Sequence, residues 1–248
     1  MDSITLYVVA VVFVATLFRS TFGFGEALVA VPLLSMWVPL KISAPLAVMM
    51  SVLVSTVILL QDWEKVKVRS AGALILATLP GIPIGLWLLK AGGDRVGRVM
   101  VAGILIVFSS YSLIRRQRHA AANPSAQHPA WVAVAGFIAG ILGGAYAMNG
   151  PPLAILGSMR KWSPQHFRAT LQGYFFPASV VGLIGYSLAG FWTPVVTRYS
   201  LVSLPAALVA IFLGRWINHR LHPLSFMTYV HSVLLAMGIS QLVQVVWR

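Results

Sequence analysis

The sequence predicts an all-α integral membrane protein of two inverted repeats, each a broken or re-entrant helix hairpin plus three transmembrane helices. Three observations predict it: an apolar, charge-poor composition, two glycine- and proline-marked interruptions inside apolar runs, and a weak internal repeat. Hydrophobic residues make up 58% of the 248 and charged residues 9%, with a mean hydropathy of +0.85. A soluble domain carries about 25% charged residues because its surface must be hydrated. Here lipid must take the place of water around most of the surface.

The net charge of +13 would suit nucleic acid. A nucleic-acid binder, however, gathers its lysines and arginines on one hydrated face. In this chain they fall in short clusters between apolar runs, as in membrane loops, and no nucleic-acid partner is expected. There is no cysteine, so disulfides, thiolate metal sites and thiol redox chemistry are unavailable. No metal-binding or catalytic motif stands out either, and neither cofactor nor enzymatic activity is expected. Met1-Asp2-Ser3 lacks the basic region of a cleavable signal, so Ile4–Phe18 reads as a retained membrane segment.

A membrane helix needs about 20 largely apolar residues. Full-length candidates are Ser43–Leu60, Ala71–Leu89, Val96–Ile114, Ala130–Met148, Arg168–Leu188, Thr197–Leu213 and Leu224–Val246. Ile4–Leu40 is too long for one helix and too short for two crossings with a loop. It is interrupted at Gly23-Phe24-Gly25 and again near Pro32. Ala130–Met159 has the same character, broken at Asn149-Gly150-Pro151-Pro152. Glycine loosens the backbone and proline deletes a donor, so together they halt a helix. Gly136, Gly140 and Gly144, spaced by four, read instead as a close helix-packing face.

The repeat relates Thr78-Leu79-Pro80-Gly81, opening a helix that ends Trp87-Leu88-Leu89-Lys90, to Ser203-Leu204-Pro205-Ala206, opening one that ends Phe212-Leu213-Gly214-Arg215. The shift is about 125 positions, and roughly the same shift lays Gly23–Gly25 on Ala147–Asn149. The division is then 1–114 for the first repeat, 115–129 for a polar basic linker and 130–248 for the second. An odd number of crossings per half collects Lys65, Lys67, Arg69, Arg115, Arg116, Arg118, Arg160, Lys161, Arg215 and Arg220 on one face. The other face then holds Lys41, Lys90, Arg95, Arg98, Arg198 and Arg248. Because cytoplasmic loops are the richer in lysine and arginine, this count is preferred. It places both termini outside, the linker in the cytoplasm, and the chain in a bacterial-type inner membrane.

Broken apolar helices within inverted repeats point to a transporter whose site lies where the breaks meet. Free backbone groups at a break cannot face lipid, and a restarting helix offers bare N–H groups and a partial positive charge to an anion. The candidate substrate-binding residues are Gly23, Phe24, Gly25, Tyr146, Asn149, Gly150, Pro151, Arg168 and Gln172. Arg168 would supply charge, with Gln172 one turn on; a loop arginine reaching lipid headgroups is the alternative for Arg168. Arg19 and Glu26 flank the first break, as a structural ion pair or with Glu26 as a proton-coupling carboxylate. His231, Gln241 and Gln244 read as interhelical hydrogen-bonding residues.

Phe22-Gly23-Phe24-Gly25 running into Val31-Pro32-Leu33-Leu34 resembles the first-half signature of the TauE/SafE sulfite-exporter family. Gly136-Phe137-Ile138-Ala139-Gly140, leading to Gly144-Ala145-Tyr146-Ala147-Met148-Asn149-Gly150-Pro151-Pro152, resembles the second. Phe167-Arg168-Ala169-Thr170-Leu171-Gln172-Gly173-Tyr174-Phe175 is similar to a helix of one branch, and the Pro80 and Pro205 helices also fit. The resemblance spans nearly the whole chain. It implies a secondary transporter of sulfite, organosulfonates or related small anions, often an exporter, working by alternating access. The motif positions Gly23, Gly25, Asn149, Gly150 and Arg168 carry over. Glu26 departs from the pattern, standing where many members have a glycine or small residue, and points to a cation or proton role. The expected partners are a small anion and the bilayer, with a homodimer left open. The rival readings are a proton-coupled uptake permease and a non-transporting membrane scaffold, which would have a sealed interior.

Overall fold

The computed structural model describes residues 2–62, 68–117, 128–162, 164–218, 220 and 223–247, all helix or short connection. Among the described residues eleven helices follow in order: α1 Ser3–Phe22, α2 Glu26–Ser35, α3 Leu40–Asp62, α4 Val68–Thr78, α5 Gly81–Ala91, α6 Asp94–Gln117, α7 Ala130–Tyr146, α8 Gly150–Met159, α9 Pro164–Leu188, α10 Pro194–Asn218 and α11 Pro223–Trp247. By length and composition α1, α3, α6 and α10 each suffice to cross a membrane, and the bent pair α4–α5, if counted as one span, makes a fifth. The exterior agrees with that reading. Leu6, Val14, Leu60, Leu76, Val107, Leu188, Leu201 and Val209 all stand exposed, where a soluble protein would place charge. Trp37, Trp87 and Trp247 are exposed toward one end and Trp131 and Trp216 toward the other, as in the aromatic belts of membrane proteins.

Polar contacts fix the two ends. At one, Arg198 reaches Asp2 at 3.2 Å, Asp94 accepts the Leu40 N–H at 2.9 Å, and Lys41 donates to the Lys90 carbonyl at 3.4 Å. At the other, Asn218 donates to the Thr21 carbonyl at 2.6 Å and Arg160 to that of His128 at 3.2 Å. Helix α2 turns back on α1: the Tyr7 hydroxyl donates to the Leu33 carbonyl at 2.6 Å, and the rings of Tyr7 and Trp37 stand edge to face. The α1–α2 hairpin therefore returns to the end from which it set out. The expected break near Pro32 is absent, because Pro32 lies inside α2, which runs on to Ser35.

Two more expectations are corrected. Ala71–Leu89 is not one helix: it bends by 44° between α4 and α5. Pro205 does not open a helix but sits inside α10, as Pro45 and Pro177 sit inside α3 and α9. Membrane helices tolerate a proline when neighbours satisfy the freed carbonyl. The difference at α4–α5 is a cluster, Pro80-Gly81-Ile82-Pro83, in which two prolines three residues apart each delete a donor.

Packing is crossed between the halves. Helix α1 lies along α10, and α7 lies along α4 and α5, while α3 faces α9 and α6 faces α11. The glycine-spaced face of α7 serves close packing as expected. A Cβ on Gly140 would strike the Thr78 carbonyl, one on Gly144 the Ile82 carbonyl, and one on Gly136 would come within 2.6 Å of Ala77 Cβ. Gly85 answers from α5, where a Cβ would strike the Ile141 carbonyl. On the other crossed pair Gly214 of α10 meets α1, a Cβ there lying 2.6 Å from Ser20 Cβ. Small residues let backbones approach where lipid supplies no hydrophobic drive between helices.

Candidate functional site

Helix α1 ends on Gly23, at φ 85°, with its N–H on the Arg19 carbonyl at 2.6 Å. Gly25 follows, also left-handed at φ 93°. Helix α7 ends in the same way on Ala147 at φ 59°, its N–H on the Gly143 carbonyl and the Met148 N–H on the Leu142 carbonyl. Gly23 and Ala147 are the positions that the expected repeat aligns, and each carries a left-handed cap. For alanine that conformation is strained, by about 1–2 kcal/mol.

The two breaks meet. One buried cavity is lined by Arg19, Gly25, Glu26 and Ser51 from the first half and by Ala147, Met148, Asn149, Gly150 and Phe175 from the second. A second adjoins it through Ser51, Ala147 and Asn149 and is walled by Thr78, Gly143, Ser179 and Gly182. Each holds ≈ 20 Å³, room for about one water. Phe24 caps the junction: its ring meets Phe167 edge to face at 5.7 Å and lies 3.8 Å from where a Gly150 Cβ would be.

Arg19 dominates the electrostatics. It is 2% exposed, and its Nη1 donates to Glu26 Oε2 at 2.7 Å and to Ser51 Oγ at 2.5 Å. Its Nη2 donates to Ser55 Oγ at 2.6 Å, while Nε has no partner. Thr16 Oγ1 donates to Glu26 Oε1 at 3.2 Å, Ser51 bonds Ser179 across the halves at 2.8 Å, and the guanidinium lies 4.7 Å from the Phe175 ring centre. A second polar group joins Thr78 and Tyr174, hydroxyl to hydroxyl at 3.0 Å, with Asn149 also within bonding reach of Tyr174. Among the described residues no cluster could hold a metal ion.

The helix starts are unequal as anion donors. No side chain caps α2 at Gly25, so the first-turn amides are open, but its first residue is Glu26, whose carboxylate answers the helix dipole. Helix α8 starts Gly150-Pro151-Pro152. Two of its three first-turn positions therefore carry no N–H, and Gly150 offers the one bare amide there. A guest anion about 4 Å from an ionised Glu26 would meet roughly 4 kcal/mol of repulsion at an effective dielectric of 20.

Of the expected residues, Gly25, Asn149 and Gly150 line the cavity together with Arg19 and Glu26. Gly23 shapes the break, Pro151 is buried in the first turn of α8, and Phe24 covers the junction. Tyr146 goes elsewhere, to a larger cavity of ≈ 170 Å³ beside Leu40, Lys41, Asp94 and Gly97. Gln172 is buried with Oε1 unpartnered and lines neither central cavity. Arg168 belongs to α9, but its side chain lies outside the described residues, as do those of His231 and Gln244. Gln241 does bond between helices, donating to Ser35 Oγ at 2.6 Å. Sequence reasoning missed Ser51, Ser55, Thr78, Tyr174, Phe175 and Ser179. Ser51 and Ser55 carried a signal, two hydroxyls one turn apart in an apolar span.

A bundle of apolar-faced helices with two interruptions around a buried arginine defines a polytopic membrane protein of the transporter class. Residues 8–240 match the family model of the sulfite exporter TauE/SafE. The chain belongs to that family, whose members are transporters and not enzymes. No curated protein and no solved structure matches it.

Proposed function

We propose that the protein carries a small sulfur oxyanion, sulfite or an organosulfonate, through the cavity at the two breaks by alternating access. The observation that carries this reading is the convergence of both breaks on one buried cavity with Arg19 in its wall. Arg19 takes the principal charged role foreseen for Arg168, its planar fork matching two oxygens of an oxyanion. Ser51, Ser179, Asn149 and the Gly150 N–H would hold the remaining oxygens. Tyr146 lines a cavity that we assign as the vestibule from the end bearing Lys41 and Asp94.

The inverted relation of repeats 1–114 and 130–248 is part of the proposal. It is supported by the left-handed caps at Gly23 and Ala147 and by the reciprocal pairing of α1 with α10 and of α7 with α4–α5. By the positive-inside tendency the end bearing Arg160, Arg215 and Arg220 is cytoplasmic and both termini lie outside, in an inner membrane. An anion moving alone would be driven outward by an inside-negative potential, about 2.3 kcal/mol per charge per 100 mV, whereas one that crosses with a proton takes its direction from the two concentration gradients. The ≈ 20 Å³ cavity has room for about one water, so carrying an oxyanion requires it to widen. Widening it moves α1 with α10 against α7 with α4–α5, so each moving body draws on both halves.

The test is flux into proteoliposomes with sulfite, methanesulfonate, sulfate and acetate. The expected result is saturable movement of the first two and a loss of about tenfold or more in apparent affinity in Arg19→Lys, which keeps the charge but not the fork. An inert panel, or an unaffected Arg19→Lys, overturns the reading.

A further inference from the structure

The carboxylate in the cavity wall is superfluous for an anion carrier and opposes its cargo. Glu26 is 4% exposed, sits with Arg19 in the wall where both breaks meet, and is the one acidic group among the described residues there. The elements around that wall bring it Thr16 and Arg19 from α1, Ser51 and Ser55 from α3, Asn149 and Gly150 from the second break, and Phe175 and Ser179 from α9. Among these Arg19 alone is charged. The Arg19–Glu26 pair is therefore neutral as a unit, with Arg19 Nε left over as a donor.

We propose that Glu26 is the proton-coupling group: it takes up one proton each time an oxyanion displaces it from Arg19, and the two cross together. This rests on the reading that the cavity holds an anion. The accounting is simple. The Arg19–carboxylate ion pair breaks, an Arg19–oxyanion pair forms, and a proton from the aqueous side bonds to a Glu26 oxygen. Net charge in the wall stays at zero before and after loading with a monovalent anion. Loading without the proton would leave two like charges sharing one guanidinium in a buried space. Linkage requires the proton to raise anion affinity by the factor by which the anion raises proton affinity. The unpartnered Arg19 Nε gives the arriving oxyanion a donor before Glu26 lets go.

The consequence is electrical. A monovalent anion moving alone redistributes about 50-fold for each 100 mV, whereas an anion with one proton does not respond to voltage. The experiment uses the full chain in proteoliposomes with a trapped pH dye and labelled methanesulfonate, an anion that stays ionised throughout. The expected result is lumenal acidification of one proton per anion, entry that slows as external pH rises from about 6 to 8, and a distribution unmoved by a potassium diffusion potential. Glu26→Gln should lose acidification and make the distribution follow voltage. Should that variant fail to fold, the wild-type stoichiometry and voltage response decide alone. Methanesulfonate that enters without protons and redistributes about 50-fold overturns the coupling role and leaves anion transport standing. If none of the four anions moves under any gradient, both fall.

Discussion

Ala147 occupies a backbone conformation that glycine occupies at the matching position of the other half. Replacing it by glycine relieves the left-handed strain but adds freedom to the unfolded chain, and the first effect is the larger. Ala147→Gly should stabilise the protein by about 0.5–1 kcal/mol, seen as a raised midpoint of thermal unfolding in detergent; a lowered midpoint would show that the Cβ is needed in the cavity wall. At this scale the sequence was partly legible. Gly25, Asn149, Gly150, Arg19 and Glu26 were recognisable because glycine, asparagine and charge are out of place in an apolar run. Phe175, Ser179 and Tyr174 were not, since an aromatic or hydroxyl residue in a membrane helix is ordinary until its neighbours are known. Tyr146 drew attention by adjoining the break, but the last turn of α7 places it in the wall of the larger cavity beside Lys41 and Asp94 instead.

Among the elements, α7 has the least freedom to change. Gly140→Val would drive a branched side chain into the Thr78 carbonyl, and overpacking of this kind costs about 1–3 kcal/mol. Gly103→Ala in α6 meets nothing within 4 Å and should be neutral or stabilising by up to about 1 kcal/mol on helix propensity. Thermal midpoints of the two variants in one detergent test the contrast; equal effects would refute close packing as the reason for the stripe. The glycine spacing of α7 was readable from the sequence, because a four-residue interval is one face of a helix. The bend between α4 and α5 was not, since hydropathy runs unbroken across Pro80 and only the short cluster Pro80-Gly81-Ile82-Pro83 distinguishes it from Pro205.

For the molecule as a whole, the absence of cysteine gives a clean background for labelling. Single cysteines at Lys41 and Arg198 should react with an impermeant reagent from one side of the membrane, and cysteines at Arg160 and Arg215 from the other. Labelling of Arg198 and Arg215 from the same side would contradict the ends described. The proposed repeat rests on glycine and proline more than on identity, because a membrane helix constrains where its backbone breaks far more tightly than which apolar residue faces lipid.

The crossing of α1 onto α10 and of α7 onto α4–α5 bears on how such a molecule can change its cargo. Each half clasps the other, so neither interruption can shift its residues without disturbing a partner encoded in the other half of the chain. A substitution that enlarges the pocket at Asn149 must be accommodated by helices of the first half as well as the second. On the proposed function, selectivity for the guest would be held in common by the two halves of the chain, and neither could be retuned alone.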